Sequence, residues 1–405
     1  MQLEKDSIQG SVNGEAPFAF RRKFLSALVA TAGSAVLAAC GGGSDSGVAD
    51  SVADRQRRRW GSNAGSSTAA STPAAASTPA STTTAASTPT STNNSSTSSN
   101  TSTSTAGVVL DTSFGVKGDG TTNDRKALQA AIDGSVGQIL LITGKSRIDM
   151  AGLDLRNKSH IRFADGASIK LLSYNAEVYQ MIRVWDVDGV VIENAYIDGS
   201  KELNSSKTGE WGMGISINGA TNLTIDGATT INCWGDGIYL DNSCSGSNAY
   251  SKNITINNHH AIGCRRQGMS VGSVSGLTLN SPIWENIGGT APGAGIDFEP
   301  DNNQTVLENI KINSPTSKNC AGPGIQIWLS SFPSNVKKTV NIAITNHVDQ
   351  GSKVAAFSVQ ALPSGSNCTG AITSTNPVWG RSLSSAYIFA DWDPSGPKVT
   401  VTNPK

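Results

Sequence analysis

The chain has 405 residues, with 31 basic and 31 acidic side chains, 43 glycines and 6 cysteines. That charge balance excludes nucleic acid or an anionic bilayer surface as the main partner, since neither is drawn to a chain without a net positive field. Abundant Gly and Asn with few long apolar runs exclude a helical bundle and point to short strands joined by tight turns.

In chain order, the first informative stretch is Arg21-Arg22-Lys23-Phe24-Leu25, followed by an apolar run from Ser26 to Ala39 and then Cys40. The run is too short to cross a bilayer and fits the core of a signal peptide. The paired arginines resemble a twin-arginine export signal, and Leu37-Ala38-Ala39-Cys40 resembles a bacterial lipobox. The resemblance implies that residues 1–40 are a signal peptide with its lipobox, that Cys40 is acylated and becomes the mature N-terminus, and that the membrane is met only through that lipid. Gly41 after the cysteine, rather than an aspartate, implies the cell envelope at the outer membrane.

Residues 41–106 follow as a Ser/Thr/Ala/Pro-rich stalk, with a short basic run from Arg55 to Arg59 read as a solvated tether. Residues 62–106 carry too little apolar surface to offset the entropy of ordering them, so a spacer is expected. The folded domain is expected over 107–405.

That domain opens at Phe114-Gly115-Val116-Lys117-Gly118-Asp119-Gly120, with Asn123 as the predicted N-cap of a short helix. Leu128, Ala131 and Ile132 give the helix one apolar side, ending at Gly134. This opening resembles the N-terminus of the pectate-lyase-like superfamily, in particular its rhamnogalacturonase/epimerase-type members. The resemblance implies an all-β fold, a single-stranded right-handed parallel β-helix from Val108 to about Val401, with the helix capping one end. Family members cleave or modify polysaccharides, or serve as tail fibres and adhesins, so the fold alone leaves the activity open.

Downstream the chain repeats one phrase: Gly214-Ile215-Ser216-Ile217, Gly237-Ile238-Tyr239-Leu240, Gly268-Met269-Ser270-Val271, Gly295-Ile296-Asp297-Phe298 and Gly324-Ile325-Gln326-Ile327. Successive glycines lie 23, 31, 27 and 29 residues apart, the interval of a solenoid whose coils bury their apolar side only against neighbouring coils. Asn222-Leu223-Thr224-Ile225, Asn253-Ile254-Thr255-Ile256 and Asn309-Ile310-Lys311-Ile312 give a second recurring strand. Cys233, Cys264 and Cys320 each stand four residues before a phrase glycine, which predicts a stack of small buried side chains. A Cys233–Cys264 disulfide is an alternative use of that stack in an oxidising compartment.

Side chains of a strand alternate faces, so the residue after each glycine and the second one beyond it are predicted to point inward. The outward pairs are then Ser216/Asn218, Tyr239/Asp241, Ser270/Gly272, Asp297/Glu299 and Gln326/Trp328. Asp236, Tyr239 and Asp241 fall on one rung, Arg265, Arg266 and Gln267 on the next, and Asp297, Glu299 and Asp301 on the third. Asp297 and Glu299, two residues apart on one face, are the candidate acid pair for glycoside hydrolysis, with Asp241 and Arg266 completing the catalytic set. Asp236, Tyr239, Arg265, Gln267, Trp234 and Trp328 are the candidate substrate contacts, the rings as sugar platforms and the arginines as a clamp for a substrate carboxylate. Asp301 is the candidate calcium ligand. Trp211 and Trp284 read equally as core, and His259 and His260 as structural or solvent-facing side chains.

The pectin-hydrolase branch carries Asn-Thr-Asp, Asp-Asp, Gly-His-Gly and Arg-Ile-Lys motifs that are missing here, and Phe298-Glu299-Pro300-Asp301 lacks the histidine of the alginate-epimerase motif. The expected function is a polysaccharide-degrading or -modifying enzyme, first a glycoside hydrolase acting on an acidic glycan. A calcium-assisted lyase or epimerase-like enzyme with Arg266 as the base, and a non-catalytic polysaccharide-binding protein or adhesin, are the alternatives.

Overall fold

The computed structural model describes residues 107–245, 250–332 and 335–405. The paired arginines, Cys40, the basic run and the Ser/Thr-rich stretch lie outside the described residues. Within them the chain winds as a parallel β-helix, its coils adding strands in turn to three sheets of 11, 9 and 9 strands. Every strand pairs with its counterpart about one coil further along the chain, in parallel. A ten-residue helix, α1 (Arg125–Gly134), buries Leu128, Ala131 and Ile132 against the first coils.

The cap of α1 lies one residue later than the sequence suggests. Asp124 is the cap position, and its carboxylate accepts the backbone N–H groups of Lys117 and Gly118 at 2.8 and 2.9 Å. Asn123 still accepts the Arg125 N–H through its side chain at 3.2 Å. The glycine-rich opening and the helix are thereby tied by one buried acid.

The sheet that carries the glycine phrases has nine strands, numbered here along the chain. They are β1 (Leu153–Asp154), β2 (Val178–Trp185), β3 (Trp211–Asn218), β4 (Asp236–Asp241), β5 (Gln267–Val271), β6 (Ile296–Phe298), β7 (Ile325–Trp328), β8 (Phe357–Leu362) and β9 (Tyr387–Trp392). Register aligns Ile215, Ile238, Met269, Ile296 and Ile325 in one file, and Ile217, Leu240, Val271, Phe298 and Ile327 in another. All ten are at most 1% exposed, each contributing about 1.5–3 kcal/mol of apolar burial. The inward half of the predicted alternation is therefore realised.

Glycine opens each phrase for a steric reason. A Cβ built on Gly214 would stand 2.7 Å from the Gly237 carbonyl oxygen, and one on Gly237 would stand 2.6 Å from that of Gly268. The same contact recurs at 2.5 Å from Gly268 to Gly295 and from Gly295 to Gly324. Any larger residue at these positions would push neighbouring coils apart. The second recurring strand uses another device: Asn222 in Thr221–Asp226, Asn253 in Ser251–Asn257 and Asn309 in Leu307–Asn313 take φ of 53–54°, a left-handed backbone that Asn tolerates best among side-chain-bearing residues.

Cys233, Cys264 and Cys320 are fully buried in the predicted stack. All five described cysteines carry free thiols, so Cys233 and Cys264 meet as hydrogen-bonded thiols rather than as a disulfide. Trp284 is fully buried in the core, where its ring lies against Gly268 and Gly295.

Candidate functional site

The outward side chains of β2 to β8 form two aligned rows. One runs Arg183, Ser216, Tyr239, Ser270, Asp297, Gln326, Ser358 by direct register. The other begins Trp185, Asn218, Asp241 and ends Trp328, Gln360. Gly272 and Glu299 continue it between them, since their N–H groups still bond the carbonyls of Leu240 and Val271 in the preceding coils. A third set of polar groups, Asp236 and Gln267, pairs in register just ahead of the glycines.

Polar side chains knit these rows across coils. Arg266, almost wholly buried, donates from Nη1 to Asp236 at 3.1 Å and stands 3.8 Å from Glu299 and 4.0 Å from Glu210. Its guanidinium lies over the Trp211 ring at 5.0 Å, and Trp211 meets Tyr239 edge-on at 6.4 Å. Burial works against its charge, but Asp236, Glu210, Glu299 and Asp297 together hold its pKa above the ordinary arginine value. Asp236 also accepts the Ser270 hydroxyl at 2.8 Å. Burial pushes the Asp236 carboxyl up to about 6, against the opposing pull of Arg266. Its Oδ1, the Arg266 Nε and the Gln267 Oε1 are buried without a hydrogen-bond partner, an arrangement costing about 1–3 kcal/mol per group.

Asp297 is closed off from solvent. The Gln267 amide donates to one of its oxygens at 2.5 Å and the Gln326 amide to the other at 3.0 Å, each from an adjacent coil. The predicted exposed acid pair is thus one sequestered carboxylate, Asp297, and one half-exposed carboxylate, Glu299. A different pair forms instead: the carboxyl groups of Asp241 and Asp301 hydrogen-bond each other. Burial raises both, and for Asp301 the charges of Asp241 and Glu299 raise it further. Tyr239 donates to Asp241 Oδ2 at 2.8 Å. Among the described residues, no group of three or more His, Cys, Asp and Glu side chains is arranged to hold a metal ion, Asp301 included.

Of the remaining predicted contacts, Arg265 stacks over the Trp234 ring at 4.1 Å and donates to the Gly209 carbonyl at 2.6 Å. Trp234 is nearly buried beneath it. Trp328 is half-exposed, with its indole N–H on Ser330 Oγ at 2.9 Å. His259 is buried against the Thr230 hydroxyl at 2.9 Å, and burial lowers its pKa to about 3. His260 is half-buried on the outer surface, 3.3 Å from Glu285. Four residues outside the sequence-based site belong to the network: Glu210, Trp211, Ser270 and Gln326. The last two stand in outward positions of the phrase, whereas Glu210 and Trp211 enter from the start of β3, which has no recurring signal.

A half-open concavity of about 240 Å³ lies nearer the capped end of the same face, lined by Asp154, Arg156, Asn157, Arg183, Trp185 and Asp186 among others.

No protein-family model matches the chain. It is 26% identical over 165 residues to the uncharacterized protein YclG of Bacillus subtilis, a stretch covering 38% of this chain and 28% of that protein. Among solved structures it is similar to bacteriophage phi29 gene product 12, with a TM-score of 0.52 and 18% identity, covering 67% of this chain and 37% of that one. It is also similar to PfbA, a surface adhesin of Streptococcus pneumoniae, with a TM-score of 0.52 and 13% identity, covering 74% and 89% of the two chains. The chain thus spans 28% and 37% of the length of the first two of these, and the two solved structures share its fold.

Proposed function

We propose that this protein is a polysaccharide-cleaving enzyme, a glycoside hydrolase of the inverting type. The carrying observation is the hydrogen-bonded carboxyl pair of Asp241 and Asp301 beside the half-exposed Glu299, on a face lined by Tyr239 and Trp211. The protonated member of the pair donates to the glycosidic oxygen as the C–O bond breaks. Glu299 takes a proton from the water that attacks the anomeric carbon. Asp241 and Glu299 stand two coils apart, ~9.6 Å at the backbone, a spacing that leaves room for a water between an acid and a base, as inversion requires. Asp297, held between two amides, positions the floor of the site, and Arg266 neutralises part of its charge.

The occupied guanidiniums also bear on the substrate. Arg266 is shared among Asp236, Glu299 and Glu210, and Arg265 is spread over Trp234, so neither meets a substrate carboxylate without breaking existing contacts. A face with more carboxylates than cations favours an uncharged sugar at the cleaved bond over the acidic glycan suggested by the arginines in sequence. A lyase with Arg266 as base is disfavoured for the same reason, because its surrounding acids hold the proton on.

The second reading is a polysaccharide-binding surface protein, favoured by the closure of Asp297 and by the adhesin that shares the fold. Reducing-end release from a glycan panel tests the choice. Asp241→Asn and Glu299→Gln are expected to abolish turnover while keeping binding. Binding without turnover by the unaltered protein overturns the hydrolase. The reading of residues 1–40 as a lipoprotein export signal with envelope localisation stands as a proposal too, tested by metabolic labelling with a palmitate analogue and its loss in Cys40→Ser.

A further inference from the structure

The connection from β6 to the strand Leu307–Asn313 carries both Glu299 and Asp301, the acid that reaches back to Asp241. Residues 299–306 belong to no strand or helix, so side-chain contacts rather than a ladder fix their path. Asn302 folds the turn: its side-chain oxygen accepts the Gln304 N–H at 2.8 Å, and its carbonyl accepts the Thr305 hydroxyl at 2.6 Å. At the exit the Ser273 hydroxyl accepts the Val306 N–H at 2.9 Å.

Beneath this turn lies Lys338, the first residue of the strand Lys338–Thr345 and only 8% exposed. Its ammonium donates to the carbonyl of Asn303 and, at 3.0 Å, to that of Thr305. It also stands over the Phe332 ring at 5.7 Å. Burial lowers the pKa of this lysine against the opposing pull of Glu308. A compact head with three donors on a long stem suits the task, since one side chain from the following coil gathers two carbonyls at once. Both carbonyls lie just beyond Asp301 in the chain, so the lysine acts on the path of the backbone and not on the carboxyl itself. Asp301 is thereby held from two directions, by Asp241 from an earlier coil and by Lys338 from a later one.

We infer that Lys338 is a positioning residue: its ammonium draws the turn after Asp301 down onto the solenoid and so keeps Asp301 within hydrogen-bond reach of Asp241. Without that cation the two carbonyls turn to water, and the connection regains the conformational freedom that the clamp removes. The inference rests on the hydrolase reading only for its effect on turnover, and on the contacts of the turn for the placement of Asp301.

The test follows the carboxyl carbons of the full chain labelled with 13C at the aspartate side chain, with Asp241→Asn and Asp301→Asn assigning the two signals. In the native protein Asp301 is expected to titrate above the ordinary carboxylate range, raised by burial and by Asp241 and Glu299 against the pull of Arg266. Lys338→Met keeps an apolar stem beside Phe332 and removes the donors. In it the Asp301 titration is expected to fall by at least about one pH unit and that of Asp241 to move the same way, as the two carboxyls part. Asp393, held low by Ser395, Ser366 and Gly365, serves as a control expected to stay in place. A lysine that merely stabilised the fold would lower the melting temperature and leave the Asp241 and Asp301 titrations alone. Should Lys338→Met fail to fold, Lys338→Gln, whose shorter amide reaches less far, is read in the same way. Unchanged titrations in a folded variant overturn the inference, even if turnover is lost. Shifted titrations together with a fall in kcat of about a hundredfold at constant KM support the lysine and the hydrolase alike. Shifted titrations in a protein whose native form releases no reducing ends keep the role of Lys338 and overturn the hydrolase.

Discussion

Asp241 and Asp301 hydrogen-bond each other across an intervening coil, because the residue standing between them is Gly272. A Cβ on Gly272 would fall 2.8 Å from the Asp241 carboxyl. The acid dyad thus depends on a missing methyl group as much as on its two carboxyls.

Gly272→Ala is therefore expected to turn Asp241 away from Asp301 and lower turnover by about two orders of magnitude, the usual worth of one positioned acid. Only a carboxyl tip has to move, so the melting temperature is expected to fall little. Rates on the best substrate of the glycan panel, set beside a thermal melt, check this. A variant as active as the native protein removes the dyad from the mechanism.

Gly268→Ala is expected to behave in the opposite way, with stability lost first. The added Cβ meets Trp284 Cδ1 at 2.3 Å and the Gly295 carbonyl at 2.5 Å, neither of which has room to retreat. Overpacking of this kind typically costs about 1–3 kcal/mol and more against backbone. Urea unfolding of this variant measures the loss.

Asp236 sets a pH dependence of known sign. Its carboxyl titrates at about 6 in the folded chain against 3.8 unfolded, so the folded state holds the proton more tightly. The stability this contributes is present below the unfolded value and is lost as pH rises through about 6, roughly 2–3 kcal/mol between pH 4 and 7. In Asp236→Asn that decline is expected to vanish from stability curves measured over the window. A curve parallel to the native one contradicts the assignment.

His259 and His347 act with the reverse sign. Burial lowers them to about 3 and about 4 from 6.5, so their contribution is present above pH 6.5 and lost as pH falls toward those values. His259→Gln is expected to lose roughly 2–3 kcal/mol less than the native protein on going from pH 7 to pH 4.5. Chemical denaturation at the two pH values gives the comparison.

The inward half of the fold was open to reading because it depends only on parity. Ile215, Ile238, Met269, Ile296 and Ile325 repeat after a glycine, and a parallel register turns that repetition into a column. The outward half was legible as positions but not as environments. Alternation says that Asp297 points away from the core, yet its closure comes from Gln267 and Gln326 on other coils, whose amides reach over it. The Asp241–Asp301 pair was hidden for a related reason, since it joins a strand end to the residues that follow Glu299. Trp234 reads as an outward aromatic, but Arg265, its neighbour after one full coil, lies across the ring. Linear spacing gives which residues are adjacent in the stack and leaves out how far each side chain leans.

The glycine contact that joins one coil to the next is chemically the same at every junction from Gly214 to Gly324, whatever the length of chain between. Each coil is in that sense an interchangeable part with a standard fitting. Gain or loss of a whole coil by unequal recombination leaves two matching surfaces to rejoin, whereas a partial coil must be absorbed in a loop. The gene can lengthen its product by entire turns of the helix without inventing a new interface.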